Sequence, residues 1–429
     1  MTKVLFITTR FPYPPKSGAE KVLMQYLSFL EGRDNAVVLC SFGSRRDADI
    51  GERCKELTRA LPSIREVVLL DLPSLITVVI NCLYYALLKR DKSFQECLYY
   101  GRSASERLRA VAAAHRPDII CFDMVRTMQY RAELEIGSAR TVFLMQDMLS
   151  ERYRGIMHTN LRVLGSFNEN IPVFAGNIAD NLLRRVLLTR EVARLTASEG
   201  KFIRAVDRTV VVSPVEAERL NRTYRGASVV AIPPAAAIDE PDCRPIAHSL
   251  SFMGLLSYSP NEEGLLRFIR SIFPAIAATY PDVTFHIIGA RPTIEVQSAA
   301  AQHRGHVLFT GYVDDYRTAV RGTEVFVAPI YTGSGVNVKI IDALALGMPV
   351  VTTAIGADGL PLSDGENIMI ANTDDEFARH VVRLMGDAGL RGMLAAAARR
   401  YAAANHDPDT IRSKFLDAIG LPGTAEKPL

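Results

Sequence analysis

Short apolar runs alternate along this chain with longer stretches in which apolar residues recur every three or four positions. The first pattern reads as buried strands and the second as amphipathic helices. Strands are predicted at Lys3–Thr8, Ala36–Ser41, Glu66–Leu70, Asp118–Asp123, Thr141–Met145, Arg208–Ser213 and Val229–Ile232. Helices fill Glu20–Leu30, Ser103–Ala114 and Thr189–Val206 between them. The alternation then breaks at Ile232–Pro245, where prolines cluster and no periodicity survives, as expected of a linker. It restarts with strands at His248–Met253, Val283–Gly289, Val307–Gly311, Glu324–Pro329 and Val350–Thr353. Helices are expected at Glu262–Tyr280, around Lys339, and at Asp374–Gly386, Leu390–Ala404 and Pro408–Leu416. Strands alternating with helices imply parallel sheets covered on both faces. The fold class is therefore α/β, with two doubly wound domains.

The stretch Gly333-Ser-Gly-Val-Asn-Val-Lys-Ile-Ile-Asp342 carries the clearest chemistry. A glycine-flanked turn opening a helix leaves backbone N–H groups free for an anion, here those of Ser334 and Val336 after Gly333 and Gly335. Lys339 and Asp342 lie three apart and project from nearly one helix face. A cation for a diphosphate and a carboxylate for sugar hydroxyls would then sit side by side. The competing account is an ordinary turn with a surface ion pair.

The run from Ala343 to Val351, Ala-Leu-Ala-Leu-Gly-Met-Pro-Val-Val, resembles the family-four retaining glycosyltransferases, the glycosyl transferases group 1 of the GT-B fold. That family carries two glutamates before this run. Asp342 matches the second, and Ser334 falls where the first would stand. In the branch with Gly-Ser-Gly, Lys339 takes over that glutamate's contact. The resemblance extends to Arg10-Phe-Pro-Tyr-Pro-Pro-Lys-Ser-Gly18, where Gly18 lets the backbone approach a ligand. It also covers Phe252–Asn261 and Phe309-Thr-Gly-Tyr312-Val313, the strand end that receives the nucleotide base. Many members add basic residues within the stretch matching Leu255–Glu263; this chain has none there.

The resemblance implies two Rossmann-like domains facing across a cleft, with Gly18 and Lys339 on opposite walls. Residues 1–232 would form the acceptor-side domain, 233–245 the hinge, 246–405 the nucleotide-sugar donor domain, and 406–429 a helix crossing back. It implies retaining transfer of a sugar from a nucleotide-diphosphate donor to a glycan or lipid-linked acceptor in surface polysaccharide synthesis. The nucleotide sugar is substrate, and no cofactor or metal is expected. Lys339 would stabilise the leaving diphosphate. Aligned on the strand Thr141–Met145, Asp147 stands where relatives place a histidine, and would orient or deprotonate the acceptor; Asp123 is a second choice. Alternatives are a catalytically silent GT-B partner protein and a nucleotide-sugar epimerase, which needs a denser set of acids and histidines.

Composition changes this picture little. A length of 429 residues suits two domains, and 48% hydrophobic with 23% charged residues is globular. A net charge of +3 without long basic runs gives no case for nucleic acid. The six cysteines are scattered without a Cys-x-x-Cys pair, which suits a reducing, cytoplasmic setting. Leu75–Leu88 is apolar but too short to span a bilayer, and Lys89, Arg90 and Lys92 follow it. It is expected to be a core helix. The alternative is an interfacial helix giving peripheral contact with the inner membrane face.

Overall fold

The computed structural model describes residues 1–15, 17–32, 34–43, 49–157, 181–238, 245–313, 315–333 and 335–421. These form two compact units. One is built from the described residues within 1–157, 180–233 and 409–429, the other from those within 234–408.

The first unit holds a seven-stranded parallel sheet: β1 (Thr2–Thr8), β2 (Asn35–Phe42), β3 (Ile64–Leu70), β4 (Ile119–Asp123), β5 (Arg140–Gln146), β6 (Arg208–Val211) and β7 (Val229–Ala231). Their spatial order is β3-β2-β1-β4-β5-β6-β7. The second unit holds β8 (Ile246–Met253), β9 (Thr284–Ile288), β10 (Val307–Gly311), β11 (Thr323–Ala328), β12 (Val350–Thr353) and β13 (Met369–Ala371). Their order is β10-β9-β8-β11-β12-β13, again parallel throughout. Each sheet follows the order of a Rossmann fold, reversing direction between β1 and β4 in one unit and between β8 and β11 in the other. The two Rossmann-like sheets confirm the α/β, doubly wound class.

Strands buried on both faces need apolar side chains at nearly every position. In β11, Val325 and Val327 enter one core with Leu250, Phe252 and Phe268, while Phe326 and Ala328 enter the other with Ile340, Ile341 and Leu344. The predicted strands match observed ones, and β13, a three-residue edge strand, is additional. The expected single helix Glu262–Tyr280 is observed in three parts, α-helical at Ser259–Arg267, π-helical at Phe268–Ile272 and α-helical again at Phe273–Thr279. Pro274 lacks an N–H for the α ladder, and the wider turn precedes it.

The C-terminal helix Pro408–Ile419 packs within the first unit, where Phe415 stacks on Tyr26 with ring centroids 4.5 Å apart. One expectation is corrected. The apolar segment after β3 is not a core helix. It runs α-helical over Leu75–Asn81 and π-helical over Cys82–Lys89, with positions 75/76, 79/80, 83/84 and 87/88 exposed. Among the described residues no helix is long and apolar enough to cross a membrane.

Candidate functional site

In open α/β sheets, ligands bind beyond the carboxyl ends of the strands where the strand order reverses. In the second unit that point lies between β8 and β11, and glycines let three strand ends crowd together there. A Cβ on Gly289, just past β9, would stand 1.9 Å from the Gly254 carbonyl oxygen. A Cβ on Gly264 would stand 1.8 Å from the Pro329 carbonyl oxygen, so the helix Ser259–Arg267 lies directly against the chain leaving β11. That helix also anchors the glycine loop from behind. Thr332 Oγ1 donates to Glu263 Oε2 at 2.7 Å, and the Arg267 guanidinium lies 3.9 Å from the Tyr331 ring centre while pairing with Asp374.

Gly333 and Gly335 both adopt positive φ, 124° and 83°, conformations that a side chain would strain. The helix they precede starts later than the first glycine suggests, with Asn337 at its N-cap and Val338–Ala345 as its body. Ser334 lies outside the described residues, and Val336 is half-buried between the glycine loop and the helix.

Lys339 sits in the first turn of this helix. The residue keeps partial exposure, but its ammonium end is enclosed by protein. Nζ lies 4.4 Å from the Phe252 ring centre, and a Cβ on Gly254 would stand 3.1 Å from it. Its hydrogen-bond partner is the carboxamide Oδ1 of Asn261, a neutral group. Asn261 is fixed in turn, its Nδ2 donating to the Leu255 carbonyl at 2.8 Å. Loss of solvent pushes the Lys339 ammonium down to about 7, because burial disfavours its charged form.

The backbone adds positive potential. The helices starting at Ser259 and Val338 have no side-chain hydrogen bond at their N-caps, Tyr258 and Asn337. The helices starting at Ile294, Tyr316, Ala354, Asp374 and Ala388 in the same unit are each capped by a Thr or Asp side chain. Both first turns carry the positive end of a helix dipole. The one at Val338 offers N–H groups to an anion, whereas in the one at Ser259 Pro260 has no N–H and the Asn261 N–H is bonded to the Tyr258 carbonyl. A partly desolvated cation in such a turn is electrostatically unfavourable until an anion joins it.

Asp342, one turn further on, is 7% exposed and hydrogen-bonded by the Tyr316 hydroxyl, whose own proton is held more tightly by burial and then by the carboxylate. Together with Ala236, Asp315 and Arg317 these two residues line a depression of about 220 Å³. With Lys339 bonded to Asn261 and Asp342 buried against Tyr316, the two do not form an exposed i,i+3 ion pair. Tyr312, at the end of β10, is exposed. Asn261 and Tyr316 were not singled out by the sequence. Asn261 falls within the stretch noted for lacking basic residues, and the position is held by a neutral hydrogen-bonding group instead.

In the first unit the order reverses between β1 and β4, and Asp123 ends β4 there. It is 1% exposed, accepts from Thr9 N (3.2 Å), Thr9 Oγ1 (3.0 Å) and Gln146 Nε2, and is pushed upward by burial. Met124 and Gln146 beside it adopt positive φ, 63° and 55°. Asp147, just past β5, is also buried and pairs with Arg152. Gly18 is the first residue of the helix Gly18–Ser28, whose N-cap Ser17 forms a reciprocal capping box with Glu20. Among the described residues no group of three or more His, Cys, Asp or Glu side chains is placed to hold a metal ion.

Two successive Rossmann-like units are the components of the GT-B fold, and comparison with known proteins agrees. Residues 247–387 match the family model "Glycosyl transferases group 1". The chain is a family-four-like protein of the GT-B fold, and its second unit carries the glycosyl transferases group 1 domain. Over 171 residues it is 29% identical to an "Uncharacterized 44.6 kDa protein in cps region" of Klebsiella pneumoniae, covering 38% of this chain and 44% of that protein. Over 148 residues it is 29% identical to the phosphatidyl-myo-inositol mannosyltransferase of Mycolicibacterium smegmatis, covering 33% and 38%. The chain thus spans less than half the length of these curated relatives. Among solved structures, Anabaena Alr3699/HepE in complex with UDP and glucose superimposes with a TM-score of 0.62 at 16% identity, covering 97% of this chain and 99% of that one.

Proposed function

We propose that this protein is a retaining glycosyltransferase that takes a sugar from a nucleoside-diphosphate donor and passes it to a glycan or glycolipid hydroxyl. The observation that carries this is Lys339, an enclosed ammonium with a neutral partner, set among two uncapped helix starts at the strand reversal. That arrangement lacks an anion, and a diphosphate supplies one. As the bond from the sugar's anomeric carbon to the diphosphate oxygen breaks, negative charge grows on that oxygen, and preorganised N–H groups with Lys339 stabilise it. The acceptor oxygen bonds to the same face of the anomeric carbon and gives its proton to the leaving oxygen. Asp342 and Tyr316 line the neighbouring depression and would hold ribose hydroxyls. Because Lys339 and the helix amides carry the charge, transfer would survive chelation. The mannosyltransferase relatives and the UDP-bound structural relative lend support at the level of chemical class.

A second account is a catalytically silent GT-B partner protein. It is favoured by the first unit, where Asp123 and Asp147 are both already engaged by Thr9, Gln146 and Arg152. A thermal-shift screen of the chain against nucleotide sugars, followed by assay of nucleoside-diphosphate release, separates the two. A good donor at a hundred times its dissociation constant stabilises by about 2.7 kcal/mol. Stabilisation without release in any acceptor mixture, with or without EDTA, would favour the silent protein; neither effect would remove the donor site altogether.

A further inference from the structure

The segment that follows β3 takes no part in the site described above. Its two stretches, Leu75–Asn81 and Cys82–Lys89, run on without a break, and apolar side chains point away from the protein along its whole length. Ile76 is 74% exposed, Ile80 58% and Leu88 73%. The exposed positions come in pairs four apart. In an α-helix of about 3.6 residues per turn that spacing drifts around the axis one way, and in the wider π ladder it drifts back. The change from α to π at Cys82 therefore keeps the stripe on one side. The opposite face is fastened down. Asn81 Nδ2 donates to the carbonyls of Cys97 (3.2 Å) and Tyr100 (2.7 Å), and Tyr85 packs edge-on against Tyr100.

The far end of the stripe is basic and aromatic. Lys89 Nζ lies 5.0 Å from the Tyr84 ring centre, and Lys92 Nζ lies 4.3 Å from that of Tyr100. Arg90 is exposed in a left-handed turn that ends the helix. From 75 to 92 the one acidic residue is Asp91, set between Arg90 and Lys92. Lysines are depleted in the centres of protein interfaces. Tyrosine and lysine bordering an apolar stripe instead match the boundary between acyl chains and head groups. At about 1.5 Å per residue the segment is also well short of the ~30 Å acyl core, so it fits in the plane of a bilayer and not across it.

We propose that the Leu75–Lys89 helix docks this protein on the surface of a bilayer containing anionic lipid. Its apolar stripe enters the acyl boundary, and Lys89 and Arg90 meet head-group phosphates, with the half-buried Lys92 held behind them by Gln129 and Tyr100. The docking is independent of sugar transfer. Co-sedimentation of the full chain with vesicles tests it, using phosphatidylcholine alone and phosphatidylcholine mixed with phosphatidylglycerol. The chain should partition onto the mixed vesicles. Ile76→Glu with Ile80→Glu should weaken partition by about tenfold or more, and so should Lys89→Glu with Arg90→Glu or added salt. Met393→Glu, at an exposed apolar position of the other unit, should change nothing. Unaltered circular dichroism confirms that the variants fold. No partition onto mixed vesicles overturns the proposal, as does equal binding to neutral vesicles that charge reversal leaves intact. A concentration-dependent dimer abolished by Ile76→Glu with Ile80→Glu also overturns it, and would assign the face to a second copy of the chain.

Discussion

The two units share one strand order, yet the points where that order reverses are chemically opposite. Between β1 and β4 the polar groups satisfy one another, Asp123 taking three donors from Thr9 and Gln146, and at the end of the neighbouring β5 Asp147 pairs with Arg152. Between β8 and β11 a cation is left with a carboxamide, and two helix starts are left uncapped. A fold alone therefore does not make a ligand site. Under the proposed function an unbalanced charge does, because binding an anion there would remove an electrostatic cost that the free protein bears. The satisfied reversal in the first unit is suited to fixing backbone geometry, including the positive φ of Met124 and Gln146.

The largest test of this contrast is Lys339→Ala. Removing one preorganised stabiliser of a developing anion costs about 2.7–4 kcal/mol, so kcat should fall by two to three orders of magnitude. Asp123→Asn, which replaces one acceptor oxygen by an NH2 group, should instead lower Tm while leaving nucleotide affinity near wild type. Steady-state kinetics and calorimetric titration of both variants check this. If the two exchange roles, the contrast is inverted.

Asp342 follows. Its contact with a ribose would be alike in ground and transition states, so Asp342→Ala should raise donor KM with kcat less affected. Hydrogen bonds to a charged group are worth about 1.5–3 kcal/mol, which sets the expected rise at roughly ten- to a hundredfold. Tyr316→Phe, which removes only the neighbouring hydroxyl, should give a smaller rise. Equal kcat losses in both would place them at the reacting centre.

Smaller still, and felt as stability, is Gly264→Ala. Its Cβ would meet the Pro329 carbonyl oxygen, which is backbone and cannot swing aside. Overpacking of this kind costs about 1–3 kcal/mol, read as a lowered Tm, and it should loosen the glycine loop and weaken donor binding in parallel. Unchanged donor affinity at a lowered Tm would show that the helix Ser259–Arg267 does not hold the loop in place.

Much of this was legible before the fold was known, for identifiable reasons. β11 announces itself because Val325–Ala328 is apolar on both faces, and the Ala343–Val351 run carries a family resemblance. β13 escaped because three residues paired along one edge leave no period to read. The Leu75–Leu88 segment was misread because hydropathy reports an apolar stripe without saying whether protein covers it. Asn261 and Tyr316 escaped for another reason: their meaning is their contact with Lys339 and Asp342, far along the chain. Only the turn after β8 and the packing of the helix Tyr316–Arg321 create those contacts.

The smallest expected effect is a pH dependence, and its sign is fixed by Lys339. Burial pulls its ammonium down to about 7 in the folded protein, against ~10.4 for an unperturbed lysine. Between those values the unfolded chain holds the extra proton, so this group makes the free protein more stable as pH rises through the window. Donor binding should run the other way. A bound diphosphate favours the charged ammonium, so above about pH 7 binding must take up a proton, and affinity should fall by at most about tenfold per pH unit. Below about pH 7 the ammonium is already charged, and affinity should level off. The ligand should be an intact nucleotide sugar, because a terminal phosphate has its own proton near pH 6 and would confuse the result. Titration calorimetry from mildly acid to mildly alkaline pH, in buffers of differing ionisation enthalpy, reads the proton uptake directly. The uptake should vanish in Lys339→Arg, which stays charged throughout. Affinity that is flat across this range in the wild type would mean that the donor's phosphates do not reach Lys339, and the two strand reversals would then differ in structure without differing in function.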